Sequence, residues 1–226
     1  DNTTVNANDL SLIGGVTTGI VSVSNAVKIS GNQSEVTAAL VTLESRVLAP
    51  SAFVEITDAD NTTVNANDLS AIGGVTTGIV SVSNAIKICG NQSDVTAALV
   101  TLESHVIAPT AFVEITDADN TTVNANDLSA IGGATNNTVS ISNTINITGT
   151  TAELIAALIT EFSKVIASNS NIIFEDTPTK HELNIIDAIT TGLITLPNDE
   201  NYHTVIDKTI SASDLISLDS EYETVI

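Results

Sequence analysis

Short alternations of apolar and polar positions punctuate the chain. Ile79-Val80-Ser81-Val82-Ser83 and Phe112-Val113-Glu114-Ile115-Thr116 turn every second side chain apolar, the period of a half-buried strand. A second short strand is predicted at Ala85-Ile86-Lys87-Ile88. Between these runs the period changes. Val95, Ala98, Leu99 and Leu102 stand at i, i+3, i+4 and i+7, a stripe that one face of a helix must bury. Leu128 and Ile131 predict a shorter helix of barely one turn, ended by Gly132-Gly133. Ser93-Asp94, Asn126-Asp127 and Ser213-Asp214 supply the side-chain oxygen and the negative charge that suit a helix start. The predicted order is strand, bend, strand, helix.

The pattern recurs. Ile56 to Gly74 returns unchanged at Ile115 to Gly133, and Asp1, Asp60 and Asp119 mark the start of each period. Inside the period, the segment from Val80 aligns without a gap on the segment from Val113, so each period reads as a 33-residue coil and a 26-residue coil. The repetition is clear over residues 1–167; residues 168–226 diverge but keep the type, with Thr179-Lys-His-Glu-Leu and Ser211-Ala-Ser-Asp-Leu standing where Asn124-Ala-Asn-Asp-Leu stood. One coil cannot bury its apolar stripe alone, whereas stacked coils can. The expected fold is a mixed α/β repeat solenoid of stacked parallel strands with short helices. About eight coils in alternating 33- and 26-residue units make one solenoid domain over 1–226, right-handed by the crossover rule. Strands stack about 4.8 Å apart and helices about 8–10 Å apart, so alternating long and short helices are expected to relieve crowding.

VNANDLSAIGGVTTGIVSV, HELNIIDAITTGLITL and TISASDLISLDSEYETV resemble a repeat of very large secreted or surface proteins, notably of cyanobacteria, that sometimes stand beside hemolysin-type calcium-binding repeats. The resemblance covers most of the chain and implies a structural or adhesive stalk. The glycine-rich nonapeptide of the calcium-binding neighbours is absent, so their metal sites do not carry over.

Composition narrows the partners. Of 226 residues 42% are hydrophobic, which suffices for a core. The net charge of −21 removes the basic face that nucleic acid or an anionic membrane requires. No run of apolar residues is long enough for membrane insertion. The single Cys89 excludes an internal disulfide, and Ser30 and Thr148 at the same repeat position ask only for a small side chain.

Candidate chemistry concentrates in Asp58-Ala-Asp60-Asn61 and its copy Asp117-Ala-Asp119-Asn120. Paired carboxylates with amide oxygens suit a hard cation such as Ca²⁺, although the spacing is not that of an EF-hand. The competing reading is a polar turn that Asp and Asn favour on their own account. Arg46, His105 and Lys164 share one repeat position and Lys28 and Lys87 another. They form either a contact stripe for an acidic neighbour or local balance for Glu44, Glu103 and Glu161. The histidines 105, 181 and 203 lack metal spacing, and no catalytic signature surrounds any Ser, His or Asp. Sequons at Asn2, Asn32, Asn61, Asn91, Asn120, Asn136 and Asn146 are what an Asn- and Thr-rich chain produces by chance. The expectation is therefore a non-enzymatic, extracellular or cell-surface structural or adhesive protein: a filament subunit or part of a longer array. It associates end to end and has cell-surface polysaccharide as a candidate partner. The alternative is a calcium-dependent module with its metal at Asp58, Asp60, Asp117 and Asp119.

Overall fold

A computed structural model describes residues 3–197. Three successive repeats build the same element series. The first holds β1 (Thr4–Asn6), α1 (Ala7–Gly15), β2 (Val21–Ser22), β3 (Lys28–Gly31), α2 (Gln33–Leu40), β4 (Val47–Leu48) and β5 (Phe53–Ile56). The second holds β6 (Thr63–Asn65), α3 (Ala66–Gly74), β7 (Val80–Val82), β8 (Lys87–Gly90), α4 (Gln92–Leu99), β9 (Val106–Ile107) and β10 (Phe112–Ile115). The third holds β11 (Thr122–Asn124), α5 (Ala125–Ala134), β12 (Val139–Ile141), β13 (Asn146–Gly149), α6 (Thr151–Leu158), β14 (Val165–Ile166) and β15 (Asn171–Phe174). The divergent region adds α7 (Lys180–Asp187) and β16 (Ile194–Thr195).

Among the described residues every strand pairing is parallel. The first sheet has the order β1-β3-β5-β7-β9 and the second β6-β8-β10-β12-β14; the third is β11-β13-β15-β16, and a small sheet is β2-β4. The chain alternates between two sheets at each step, so β5 to β10 fall in turn on the first and second sheets. Each five-stranded sheet takes three strands from one repeat and two from the next. The cause is the inward row of β-branched residues. Ile29, Val54 and Val80 in the first sheet and Val64, Ile88, Val113 and Val139 in the second are all at most 2% exposed. Each packs on its counterpart in the next strand, the arrangement that makes Val and Ile good strand residues. Val80, Val82, Val113 and Ile115 are buried in parallel ladders as expected.

Helices and strands do not share a step. The strand partners Val64, Ile88, Val113, Val139 and Val165 follow one another at nearly even spacing along the chain. Helices start at Ala7, Gln33, Ala66, Gln92, Ala125 and Thr151, so that a shorter and a longer interval alternate. Val80 and Val113, aligned in the sequence, therefore lie in different sheets.

Three local expectations are corrected. The helices have similar lengths, 8 to 10 residues, because α1, α3 and α5 start at Ala7, Ala66 and Ala125 and take the glycine pair into their last turn. In α1, α3 and α5 the first glycine of each pair faces a backbone: a Cβ on Gly14, Gly73 or Gly132 would overlap the carbonyl oxygen of Ser45, Ser104 or Ser163. The caps lie two residues earlier than predicted. Asn91 accepts from Asp94 N at 2.9 Å and Asn124 from Asn126 N at 2.8 Å, because Ser93 and Asn126 already have helical backbones. Leu102 leaves the buried stripe, since α4 ends at Leu99 and a 3-10 turn, Leu102–Ser104, turns it outward. The predicted cap at Ser213 lies outside the described residues.

Candidate functional site

The Asp-Ala-Asp-Asn turns link β5 to β6 and β10 to β11. Each ends on an asparagine in the left-handed region, Asn61 at φ 63° and Asn120 at φ 65°, a conformation Asn tolerates better than most residues. The turn then folds its polar atoms onto neighbouring levels. Asp58 Oδ2 accepts from Gln33 N at 2.6 Å, at the first residue of α2, and Asp117 Oδ2 accepts from Gln92 N at 2.6 Å, at the first residue of α4. These carboxylates meet an otherwise unfilled helix N–H and the positive helix end. The second carboxylate points the other way along the stack. Asp60 Oδ1 accepts from Ala85 N and Asp119 Oδ1 from Thr144 N, each at 2.8 Å. Asn84 and Asn143 complete the tie by donating to the carbonyls of Asp58 and Asp117 at 2.6 Å.

The structure thus places Asp58 with Asp60, and Asp117 with Asp119, in one turn each, but spends their carboxylates on separate amides. Among the described residues no group of three or more His, Cys, Asp or Glu could hold a metal ion. Sequence reasoning missed the third member of the column. Asp176 accepts from both N and Oγ1 of Thr151 at 2.6 Å, capping α6 from the next level. Those two donors hold its carboxyl below the usual aspartate range. The signal was available, since Asp176 stands one full period after Asp117.

The two cation columns behave differently. Lys28 pairs with Glu55 and Lys87 with Glu114, both at 3.0 Å on the outer sheet faces. The lysine partners hold both glutamates below their ordinary range. Such exposed pairs contribute little to stability. Cys89 donates to Glu114 at 3.4 Å, and burial beside that carboxylate pushes its thiol up to about 11, so it stays protonated at neutral pH. Arg46, His105 and Lys164 all adopt left-handed backbones, φ 52° to 54°. Arg46 Nη1 donates to the Glu44 carbonyl and Lys164 Nζ to that of Phe162, each at 3.0 Å. Arg46 and Lys164 thus close their turns through backbone oxygens instead of carboxylates, whereas His105 Nδ1 is buried without a hydrogen-bond partner among the described residues.

On the outer face of the second sheet, Asn61, Lys87, Phe112, Val113, Thr138 and Ser140 line an open depression of about 270 Å³. Phe112 is 38% exposed there, and its copy Phe53 is 46% exposed on the first sheet. An accessible aromatic beside an ion pair and hydroxyls offers stacking and hydrogen bonding to a flat polar ligand. Sequon asparagines 32 and 91 are helix caps, and Asn146 donates to the Asn120 carbonyl at 3.0 Å. No helix among the described residues is long and apolar enough to cross a membrane. No protein-family model, curated protein or solved structure matches this chain.

Proposed function

We propose that this chain is a structural or adhesive repeat protein of the cell exterior, acting as a filament subunit or as part of a longer surface array. One observation carries the reading: the polar residues that chemistry would need are committed to joining one level to the next. The Asp58 and Asp117 column caps helices, the Asp60 and Asp119 column ties turns, and the sheets themselves are shared between repeats. The product of such a design is length and a periodic surface. In this reading the whole chain is one solenoid domain of about eight coils in alternating 33- and 26-residue units. It associates end to end and is not an enzyme. The sheet faces around Phe53 and Phe112 are the surfaces it would offer to cell-surface polysaccharide.

Electron microscopy of native material tests the reading. Filaments or stalks with an axial repeat are expected; dispersed compact monomers would remove it. Calcium at Asp58, Asp60, Asp117 and Asp119 is the second reading, and calorimetry separates the two. Equal heats of calcium addition for the wild-type chain and a variant with all four changed to Asn leave the carboxylates with their bonding role alone.

A further inference from the structure

The small sheet is an incomplete copy of the larger ones. Its strands β2 and β4 stand at the repeat positions of β7 and β9, and of β12 and β14. There the strand equivalent to β2 has two neighbours: β7 lies between β5 and β9, and β12 between β10 and β14. Among the described residues β2 pairs with β4 alone. Its missing neighbour is the strand that reads Phe-Val-Glu-Ile in both internal copies. In those copies Val54 N donates to the Ile79 carbonyl at 2.9 Å and Val113 N to the Thr138 carbonyl at 3.0 Å. Ile20 occupies the equivalent acceptor position beside β2.

Side chains around β2 report the same gap. Ile13 is 52% exposed, whereas its copies Ile72 and Ile131 are fully buried. Val16 is 89% exposed against 41% for Val75, and Ile20 70% against 45% for Ile79. Val21 and Val23 are half-buried where Val80 and Val82 are fully buried. What covers the internal copies is visible. α2 packs on α3 and α4 on α5, across the repeat boundary. Leu40, Val47 and Leu48 line one depression with Val75. The same faces continue to the first repeat, where α1 and β2 present them outward.

We infer that residues 10–23 form an acceptor face for one further unit of this same repeat. That unit's Phe-Val-Glu-Ile strand adds in parallel to β2, its Val, Glu and Ile opposite Val21, Ser22 and Val23, the register of Val54, Glu55 and Ile56 on Val80, Ser81 and Val82. Its second helix covers Ile13. Strand addition of this kind draws affinity from the backbone and specificity from the alternate side chains. The strand edge of β1 is not the acceptor, because its copies β6 and β11 are themselves sheet edges inside the molecule. The inference rests on the array reading and gives it a register.

The test joins a copy of residues 1–59 in front of Asp1 of the full chain, which reproduces the Ala59-Asp60 junction. Amide hydrogen exchange is followed in residues 10–23 of the original chain, isotopically labelled apart from the added copy, at concentrations where light scattering reports monomers. Exchange there should slow by at least about tenfold relative to the original chain. In a second tandem the added unit carries Val54→Asp and Ile56→Asp, and the slowing should be lost. Unchanged exchange in the first tandem overturns the inference, and so does equal slowing in both tandems. The outcome is separate from filament formation: slowing without filaments in native material keeps the acceptor face and removes the filament reading.

Discussion

Gly73 and Gly74 are neighbours in one helix and should respond to alanine in opposite directions. Neither has a positive φ, so neither is needed for backbone freedom. On helix propensity alone each change to Ala is worth about 1 kcal/mol in favour of folding. At Gly74 nothing lies within 4 Å of the added methyl, so Gly74→Ala keeps that gain. At Gly73 the methyl meets the Ser104 carbonyl oxygen, part of the 3-10 turn that α3 packs against. Backbone cannot rotate away as a side chain can. The helix and the turn must separate, at the cost of about 1–3 kcal/mol typical of overpacking or more, with the contact between α3 and its neighbouring strand disturbed too. Gly73→Ala should therefore be destabilising by up to about 2 kcal/mol net, some 1–3 kcal/mol below Gly74→Ala. Urea denaturation of both variants, compared at equal slope, reads the difference. Equal midpoints, or a Gly73→Ala variant more stable than the wild-type chain, would refute the close backbone approach.

Asn91→Ala should cost about 1 kcal/mol as the loss of a helix cap, while Ser93→Ala shifts the denaturation midpoint by less than half as much. A larger effect at Ser93 would restore the cap to it. Ser170 is fully buried with a hydroxyl that has no partner among the described residues, at a position where the other repeats carry Ala52 and Ala111. Ser170→Ala should stabilise the chain by about 1 kcal/mol in the same assay, and a loss of stability would reveal a partner for the hydroxyl. Asp176 has a folded-state pKa below its unfolded one, so its contribution is full at neutral pH and is lost as pH falls through the carboxylate range. The stability gap between the wild-type chain and Asp176→Asn should close on acidification below about pH 4; a gap that widens there contradicts the hydrogen bonds from Thr151.

Strand alternation, the parallel stacking and the order of strand, bend, strand and helix were legible because period-2 and i, i+3, i+4 patterns report burial directly, whereas the two-residue strands β4, β9 and β14 that follow α2, α4 and α6 are too short to show a period. Val80, Val82, Val113 and Ile115 are buried where their alternation says. What stayed hidden has a common cause. The gapless alignment of Val80 on Val113 reports chemical likeness, and Val80 instead pairs with Val54 and Val106, since pairing is decided by the length of chain between levels. Gly132-Gly133 carries the composition of a helix end and stands at one, but only the Ser163 carbonyl beside Gly132 explains why that position takes no side chain. Asp58 and Asp117 were legible as special residues, and their turn role was one of the two readings. Their partners, Gln33 N and Gln92 N, are backbone groups one level away in the stack, and backbone donors leave no trace in side-chain composition.

The shared sheets also bear on inheritance. A sheet built from three strands of one repeat and two of the next is indifferent to which repeat supplies the two. If residues 60–118 were deleted, β1, β3 and β5 would meet β12 and β14 in the places of β7 and β9, at positions that carry Val and Ile in both copies. The near-identical repeats are also the substrate on which unequal recombination of a gene operates. Gains and losses of whole repeats leave every remaining sheet complete, so the length of such a protein can drift between lineages while its fold stays fixed.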